Sequence, residues 1–336
     1  MMQILKKSLI SIAMLLFLTA CGGTDEGTIG TISDFFPFGE NVTFVIENEE
    51  QPHANQEIFT THISGNRVQQ SMSALNINHA LVLELDGGTL RQIYTFIDHP
   101  IYEDITDASP NMNWVILQEP LSLGNYWSTG DGNATSTITA VGNQVITPAG
   151  TFDETIQVTT EFPNGDYSVT YFAVGHGMIY DSWSTTFEDI TAIGTNKLVH
   201  VREGAMQADI PVFFPHSQLA GLDGEMIVID IYTNQDFPLL FTQILQQKVN
   251  LLENVSVNDI TVNRDSDLVV VDFSGNFLEI EVDAILEELL LNSLANTFGM
   301  FYNVGYFQIT LEGENYSSEH FTFNDGDFIA VGEGFQ

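Results

Sequence analysis

The chain is poor in positive charge: its 336 residues carry 8 Lys and Arg against 45 Asp and Glu, a formal charge of −37. Such an imbalance repels nucleic-acid phosphates and anionic headgroups, so no nucleic acid is expected as a direct partner. The excess of carboxylates allows weak cation binding. With so few lysines it suggests a salty or alkaline exterior, where counterions screen the repulsion. Cysteine is scarcer still. A single thiol, Cys21, excludes an intrachain disulfide. The sequence has no Gly-x-Ser-x-Gly elbow and no phosphate-binding glycine loop. Its eight histidines are scattered, with no pair at metal-ligand spacing. What it does have is apolar content: hydrophobic residues make up 44%, far too many for an acidic disordered chain. The charge must therefore coat folded domains, and the length is enough for two.

The position of Cys21 is informative. Lys6 and Lys7 precede an almost wholly apolar run from Leu9 to Leu18, broken by Ser11. That run has the length of a signal-peptide core, about ten residues, and is too short for a free-standing membrane helix of about twenty. Leu18-Thr19-Ala20-Cys21 resembles the lipobox of bacterial lipoproteins. The resemblance implies that residues 1–20 are a lipoprotein signal peptide and that Cys21 is the lipid-attachment site. It also implies a protein held on the outer side of the cytoplasmic membrane, or in an outer membrane where one exists. Two or three acyl chains exceed what stable anchoring needs. Residues 21–40, opening with Gly22, Gly23, Thr24, Asp25 and Glu26, read as a flexible tether. Loss of Lys6 and Lys7 with the leader takes the formal charge from −37 to −39.

From 41 to 203 the text is strand and turn. NVTFVIENEE, HALVLELDGG, SVTYFAV and NKLVHVRE are runs of β-branched and aromatic residues. Asp86-Gly87-Gly88, Asp131-Gly132-Asn133 and Asn164-Gly165 punctuate them. No stretch here has a sustained helical period. The pattern predicts one antiparallel all-β module, a curved sheet or half-barrel, because so many short strands need their edges managed. Glu203 to Gln207 reads as a connector with little to bury. Beyond it, over 208–330, strands alternate with two helices. Phe237 to Leu252 puts Phe237, Leu240, Phe241, Ile244, Leu245 and Val249 on one face. Val282 to Phe298 buries Val282, Ile285, Leu286, Leu289, Leu290, Leu294 and Phe298, with Glu281, Glu287, Glu288 and Asn292 facing away. Phe307, Ile309 and Leu311 alternate with Gln308, Thr310 and Glu312. The order implies an α/β (α+β) domain with two helices on one face of a sheet.

The second half is similar to the sporulation and spore-germination GerM domain. The matching positions are Val269, Val271, Asp272, Phe273, Ser274, Ile309 and Gly313. Around Gln246 to Asn250 the chain lacks the Gly-Pro that family members often carry. The resemblance implies a structural module of envelope proteins, ring-forming sporulation assemblies among them, with no known catalytic residues. The front half more distantly resembles a recurrent β module of bacterial lipoproteins, through Pro120-Leu121-x-x-Gly124-x-x-Trp127, Thr147 to Phe152 and Tyr171 to Gly177. Its glycines suit tight turns, and Trp127 and Phe152 are expected inside the sheet.

Three clusters invite a chemical reading. His176 between Gly175 and Gly177 allows close approach of a ligand, yet a turn residue is the favoured reading. Asn263-x-Asp265-x-Asp267 has the spacing of a calcium-loop start but lacks the following glycine and distal glutamate, so a hairpin turn is favoured. Asn324-Asp325-Gly326-Asp327 reads as a turn for the same reason. No catalytic residue, metal ligand or cofactor is expected. The leading reading is a non-enzymatic, lipid-anchored envelope protein that meets envelope proteins or the cell wall in envelope remodelling, sporulation or germination. The alternative is a ligand or lipid carrier with an apolar cavity of several hundred cubic ångströms in the β module. A hydrolase would need a cleft with convergent polar groups. The lipid anchor has a direct test by membrane fractionation and terminal sequencing. Cys21→Ser is expected to release the protein or leave an uncleaved precursor; a variant still cut after Ala20 and still membrane-bound overturns the lipobox reading.

Overall fold

A computed structural model describes residues 29–74, 77–97, 102–187 and 190–332. The leader and Cys21 lie outside the described residues. A short helix, α1 (Ile32–Phe35), precedes β1 (Val42–Asn48), β2 (Gln56–Ser64), β3 (Arg67–Ala74), β4 (Ile77–Asp86), β5 (Thr89–Ile97), β6 (Trp114–Gln118) and β7 (Tyr126–Thr129). Then come β8 (Ala134–Val141), β9 (Val145–Thr147), β10 (Gly150–Phe152), β11 (Thr155–Glu161), β12 (Tyr167–Ala173), β13 (Gly177–Phe187) and β14 (Ile190–Glu203). Among the described residues these form a twelve-stranded antiparallel sheet, ordered β6-β5-β4-β3-β2-β1-β14-β13-β12-β11-β8-β7, and a separate β9–β10 hairpin. The expected all-β module is this sheet.

The sheet curls until its two edges nearly meet. Trp127 Nε1 and Thr129 Oγ1, on β7, both donate to the carbonyl of Val115 on β6, each at 3.1 Å. Asn125 Nδ2 donates to the carbonyls of Gln118 and Pro120 at 2.8 and 2.9 Å. Side chains thus close a seam that no ladder spans, which is one way to manage two exposed edges. Trp127 is buried, as expected, and its ring joins Leu83, Leu90, Leu117, Leu121, Ile138 and Ile156 in one core. Phe152 instead belongs to the β9–β10 hairpin and packs against Ile46, Ala173, Ile179 and Leu198.

The tether expected over 21–40 stops being free at α1. Ile32 and Phe35 are fully buried in the core beneath the seam. The amide of Ile32 donates to Glu119 Oε1 at 2.9 Å, and the amide of Gly175 donates to the carbonyl of Asp34 at 2.7 Å. Aromatic content in Phe35, Phe36 and Phe38 outweighs the polar, loop-like composition of the neighbouring residues.

The second half comprises β15 (Met206–Pro215), β16 (Leu222–Ile231), α2 (Phe237–Lys248), β17 (Val257–Asn263), β18 (Leu268–Phe273), α3 (Ala284–Tyr302), β19 (Tyr306–Leu311), β20 (Glu314–Asn315) and β21 (Ile329–Ala330). β17 pairs antiparallel with β18, and β18 pairs parallel with β19 through the α3 crossover. Asp236 caps α2 by accepting from the amide of Leu239 at 2.9 Å, and Asp283 caps α3 by accepting from Leu286 at 2.9 Å. α2 is a turn shorter than its apolar pattern predicts, because Val249 turns extended. The apolar faces of β18 and β19 are buried: Val269, Val271 and Phe273 on the first, and Phe307, Ile309 and Leu311 on the second, as the alternation of β19 predicts. In addition α3 is packed by the β15–β16 ribbon: the amide of Phe213 donates to Thr297 Oγ1 at 2.9 Å. Its second half is therefore buried on all sides, from Ser293 to Gly299.

Three expectations for the second helix fail. It starts at Ala284, which leaves Val282 outside it and half-buried, Ile285 is exposed, and Glu287, expected to face solvent, is 3% exposed. Tyr316 Oη donates to Glu287 Oε1 at 2.6 Å, and Ser318 Oγ donates to the same oxygen. These partners from the C-terminal segment let the carboxylate be buried. Nor is the connector free. β14 ends at Glu203, paired with Val42, β15 starts at Met206, paired with Ile231, and the amide of Gly204 donates to the carbonyl of Asn41 at 2.8 Å.

The two units are fastened at a bulge in β2, where the register with β3 slips between Thr60 and His62. A bulge leaves backbone groups without ladder partners, and the loop after β16 takes them. The amide of Asn234 donates to the carbonyl of Thr61 at 2.8 Å, and the amide of Ile63 donates to Asn234 Oδ1 at 2.8 Å. Thr233 and Asn41 exchange amide-to-side-chain bonds, each of 2.8 Å. Farther along, Arg264 pairs with Glu103 at 2.9 Å. The Tyr102 ring stacks on Phe301 with centroids 4.0 Å apart.

Asp272 shows how the motif of the second half works. Its Oδ1 accepts from Thr310 Oγ1 and from the amide of Gly313, both at 2.7 Å, and its Oδ2 accepts from Asn258 Nδ2 at 2.9 Å. Burial pushes this carboxyl up, but those three donors together hold it below the ordinary carboxylate value. Gly313, at φ 81°, supplies the turn that aims its amide at the carboxylate. Because the folded-state value lies below the unfolded one, the stabilisation is present above the ordinary Asp value of about 3.9 and is lost as pH falls through the folded value. Asp272→Ala is expected to cost about 1–3 kcal/mol at neutral pH. Denaturant melts should show its deficit shrinking as the pH falls below about 4; a deficit independent of pH would remove the charge from this account.

Candidate functional site

The curled sheet encloses a cavity of about 620 Å³. Its walls come from β1–β6, β8 and β11–β13, with the segment after α1 across one end. Phe36, Pro37, Phe38 and Gly39 line that closed end beside Gly177. A Cβ on Gly177 would sit 3.0 Å from the Phe36 ring, a tight contact, and its φ of 65° favours glycine as well. At the other end Trp114 stacks on Phe162 across the seam, centroids 6.1 Å apart. The strand starts and ends there carry exposed apolar side chains: Ile77, Phe96, Ile97, Tyr167, Ile190 and Ile193. Tyr167 also lines the cavity. That end is its greasy rim.

The lining is mostly apolar. Phe44, Ile58, Met72, Leu81, Leu83, Val158, Phe172 and Met178 supply it from strand positions that alternate into the lumen. Trp183 lies against Gly194 on the adjacent strand, where an added Cβ would meet the ring at 2.4 Å.

A polar strip crosses β12, β13 and β14, and further polar groups line the lumen from other strands. Asp181 on β13 sits opposite Thr170 on β12 and Asn196 on β14 in the strand registers. Thr170 Oγ1 donates to Asp181 Oδ1 at 2.7 Å. Asn196 Oδ1 in turn accepts from Asn48 Nδ2 at 2.9 Å. The Ser136 and Thr160 hydroxyls pair at 2.8 Å, and Gln56, Gln70 and Gln92 line the wall from β2, β3 and β5. Burial pushes the Asp181 carboxyl above the ordinary Asp value, against hydrogen bonds from Thr170 and Asn196 that favour its ionised form.

The residues singled out from the sequence fall in different places. His176 is in the β12–β13 turn, as favoured: its Nδ1 lies 2.9 Å from the carbonyl of Val174, and its ring meets Phe152 edge-on at 5.0 Å. It also lines the closed end of the cavity. Asn263, Asp265 and Asp267 are in the β17–β18 turn, where Asn263 Oδ1 accepts from the amide of Ser266 at 3.1 Å. In the Asn324–Asp327 turn, Asp327 Oδ2 accepts from the amide of Asn324 at 2.7 Å. Among the described residues no group of three His, Cys, Asp or Glu is placed to hold a metal ion. Among the same residues no helix is long and apolar enough to cross a membrane. A second cleft, of about 790 Å³, lies beside Glu287 at the start of α3. Its buried carboxylate is already engaged by Tyr316 and Ser318, which makes it part of the fold's own bonding.

Sequence reasoning missed Asp181, Thr170 and the three glutamines. Each is an ordinary polar residue in a strand, and only strand register gathers them. The available signal was the inward parity of Asp181, Trp183 and Thr185 in one strand, which mixes polar and aromatic side chains where an ordinary core strand would be uniformly apolar.

Residues 225–317 match the family model Germane, described as sporulation and spore germination. The segment from β16 to the start of the C-terminal tail is therefore a Germane domain, less than a third of the chain. No curated protein matches the chain. Among solved structures, an exported protein with a YmcC-like fold from Bacteroides fragilis is similar at 8% identity and a TM-score of 0.29, over 53% of this chain and 99% of that one. A protein described as a lipoprotein from Parabacteroides distasonis is similar at 13% identity and a TM-score of 0.29, over 50% of this chain and 98% of that one. At these TM-scores neither likeness bears on function.

The Asp181 carboxyl gives a test of the polar strip. Its folded-state value is raised, so its contribution to stability is fully present below the unfolded value and is lost as pH rises through the folded one. Asp181→Asn keeps an acceptor for Thr170 and removes the buried charge. Thermal melts should find this variant more stable than wild type at neutral pH, with the gap closing on acidification toward about pH 4. A variant less stable at neutral pH, with no pH trend, would contradict the assignment.

Proposed function

We propose, from the premise that residues 225–317 are a Germane domain, that this is a non-enzymatic envelope protein which carries an apolar small molecule or lipid in its curled sheet. The observation behind the reading is the 620 Å³ apolar cavity. Its size falls within the range of about 300–1,000 Å³ typical of small-molecule sites. The lipobox ending at Cys21 supports tethering at the outer side of the cytoplasmic membrane, or in an outer membrane where one exists. The Germane domain supports a docking role toward envelope proteins or the cell wall, in envelope remodelling, sporulation or germination. Interaction is the leading reading of the sequence, and the cavity adds to it the carrier alternative. The bulge at Thr60–His62 and the Arg264–Glu103 pair join the cavity-bearing sheet to the Germane domain.

An apolar dye whose emission rises on leaving water tests the carrier reading. The wild-type chain is expected to bind it saturably. Met72→Trp, which adds a large ring to the lumen wall opposite Ile58, should abolish most of that binding while leaving the melting temperature within a few degrees of wild type. Dye binding that is absent in wild type, or unchanged in the folded Met72→Trp variant, overturns this function.

A further inference from the structure

The cavity is lined by Asp166 and Asp181 and by no Lys or Arg; its one imidazole, His176, sits at the closed end with Nδ1 2.9 Å from the carbonyl of Val174. The cations elsewhere are already used. All six basic side chains among the described residues pair with carboxylates: Arg67 and Arg91 with Glu84, Lys197 with Glu49, Arg202 with Glu57, Lys248 with Glu225, and Arg264 with Glu103. A ligand bearing a carboxylate or phosphate would bring its charge into an acidic, largely apolar lumen with no counter-ion to replace water. A hydroxyl, amide or amine head instead finds acceptors and donors in Asp181 and Thr170, paired across β12 and β13, and elsewhere in the lining in Gln56 and Gln70, while Phe44, Ile58, Met72 and Leu81 offer apolar surface to its body.

Resting on the carrier reading, we infer that the cavity selects amphiphiles whose polar end is uncharged or an amine and rejects those whose polar end is anionic. Asp181 is the residue that favours the amine, since among the described residues its only strong side-chain donor is Thr170; Asp166, half-buried at the rim, spends its oxygens on Thr185 Oγ1 at 2.9 Å, the amide of Thr186 at 2.8 Å and Asn164 Nδ2 at 2.8 Å.

Displacement of the bound dye from the full chain by dodecylamine, dodecanol and dodecanoate at neutral pH reads the selectivity directly. Dodecylamine and dodecanol should displace it, and dodecanoate should be at least about tenfold weaker, the penalty of an unpaired buried charge. Asp181→Asn, which keeps a side-chain oxygen as acceptor but loses the charge, should weaken dodecylamine by several times more than it weakens dodecanol, bringing the two together. Dodecanoate binding as tightly as dodecylamine, or an amine preference untouched by Asp181→Asn, overturns the inference and leaves the carrier reading standing. Failure of the dye and of all three amphiphiles to bind overturns both.

Discussion

A sheet of this width has two edges, and the structure turns on how it disposes of them. One carbonyl, that of Val115, receives both the Trp127 indole N–H and the Thr129 hydroxyl. Those bonds draw β7 against β6 where backbone pairing stops. Closure then creates an inside, which the segment after α1 stops at one end with Phe36 and Phe38 while the opposite end keeps its apolar rim. Opened flat, the same strands would expose Leu83, Ile138, Ile156 and Phe172 to water on one face, and the lumen would not exist.

The second unit depends on that geometry in turn. The β2 bulge presents the Thr61 carbonyl and Ile63 backbone to Asn234, whose positive φ of 57° is one that asparagine tolerates well. Tyr102 leaves the β domain to stack within the aromatic group of Phe237 and Phe301, and burial with the Glu103 and Tyr102 charges nearby raises the Tyr302 hydroxyl far above its ordinary value, opposed by Arg264. The interface combines an ion pair, ring stacking and backbone bonds.

Much of this architecture was legible because its signals are local. Asp86-Gly87-Gly88 and Asn164-Gly165 mark the β4–β5 and β11–β12 turns, with Gly87, Gly88 and Gly165 all at positive φ. Strict alternation placed Phe307, Ile309 and Leu311 inside. The motif around Asp272 identified the Germane strands, although its carboxylate's role emerged only with Thr310 and Gly313 beside it. What stayed hidden depends on distant pairing. Glu287 looks like a solvent-facing helix residue until Tyr316 and Ser318 reach it. Residues 32–38 look like leash until the seam provides a floor for Phe35. The polar strip exists only once β12, β13 and β14 are in register, and the interdomain latch only once a strand has slipped by one residue.

The pairing of β1 with β14 joins Val42 to Glu203 across nearly the whole β domain. A chain delivered amino terminus first releases Phe35, Phe36 and β1 long before β14 can reach them. β2 to β5 can zip sequentially as hairpins, but the strand that links the two halves of the sheet must wait with one edge bare. During that interval the molecule presents an unpaired edge and the aromatic residues that will later stop the lumen, the combination most prone to mispairing.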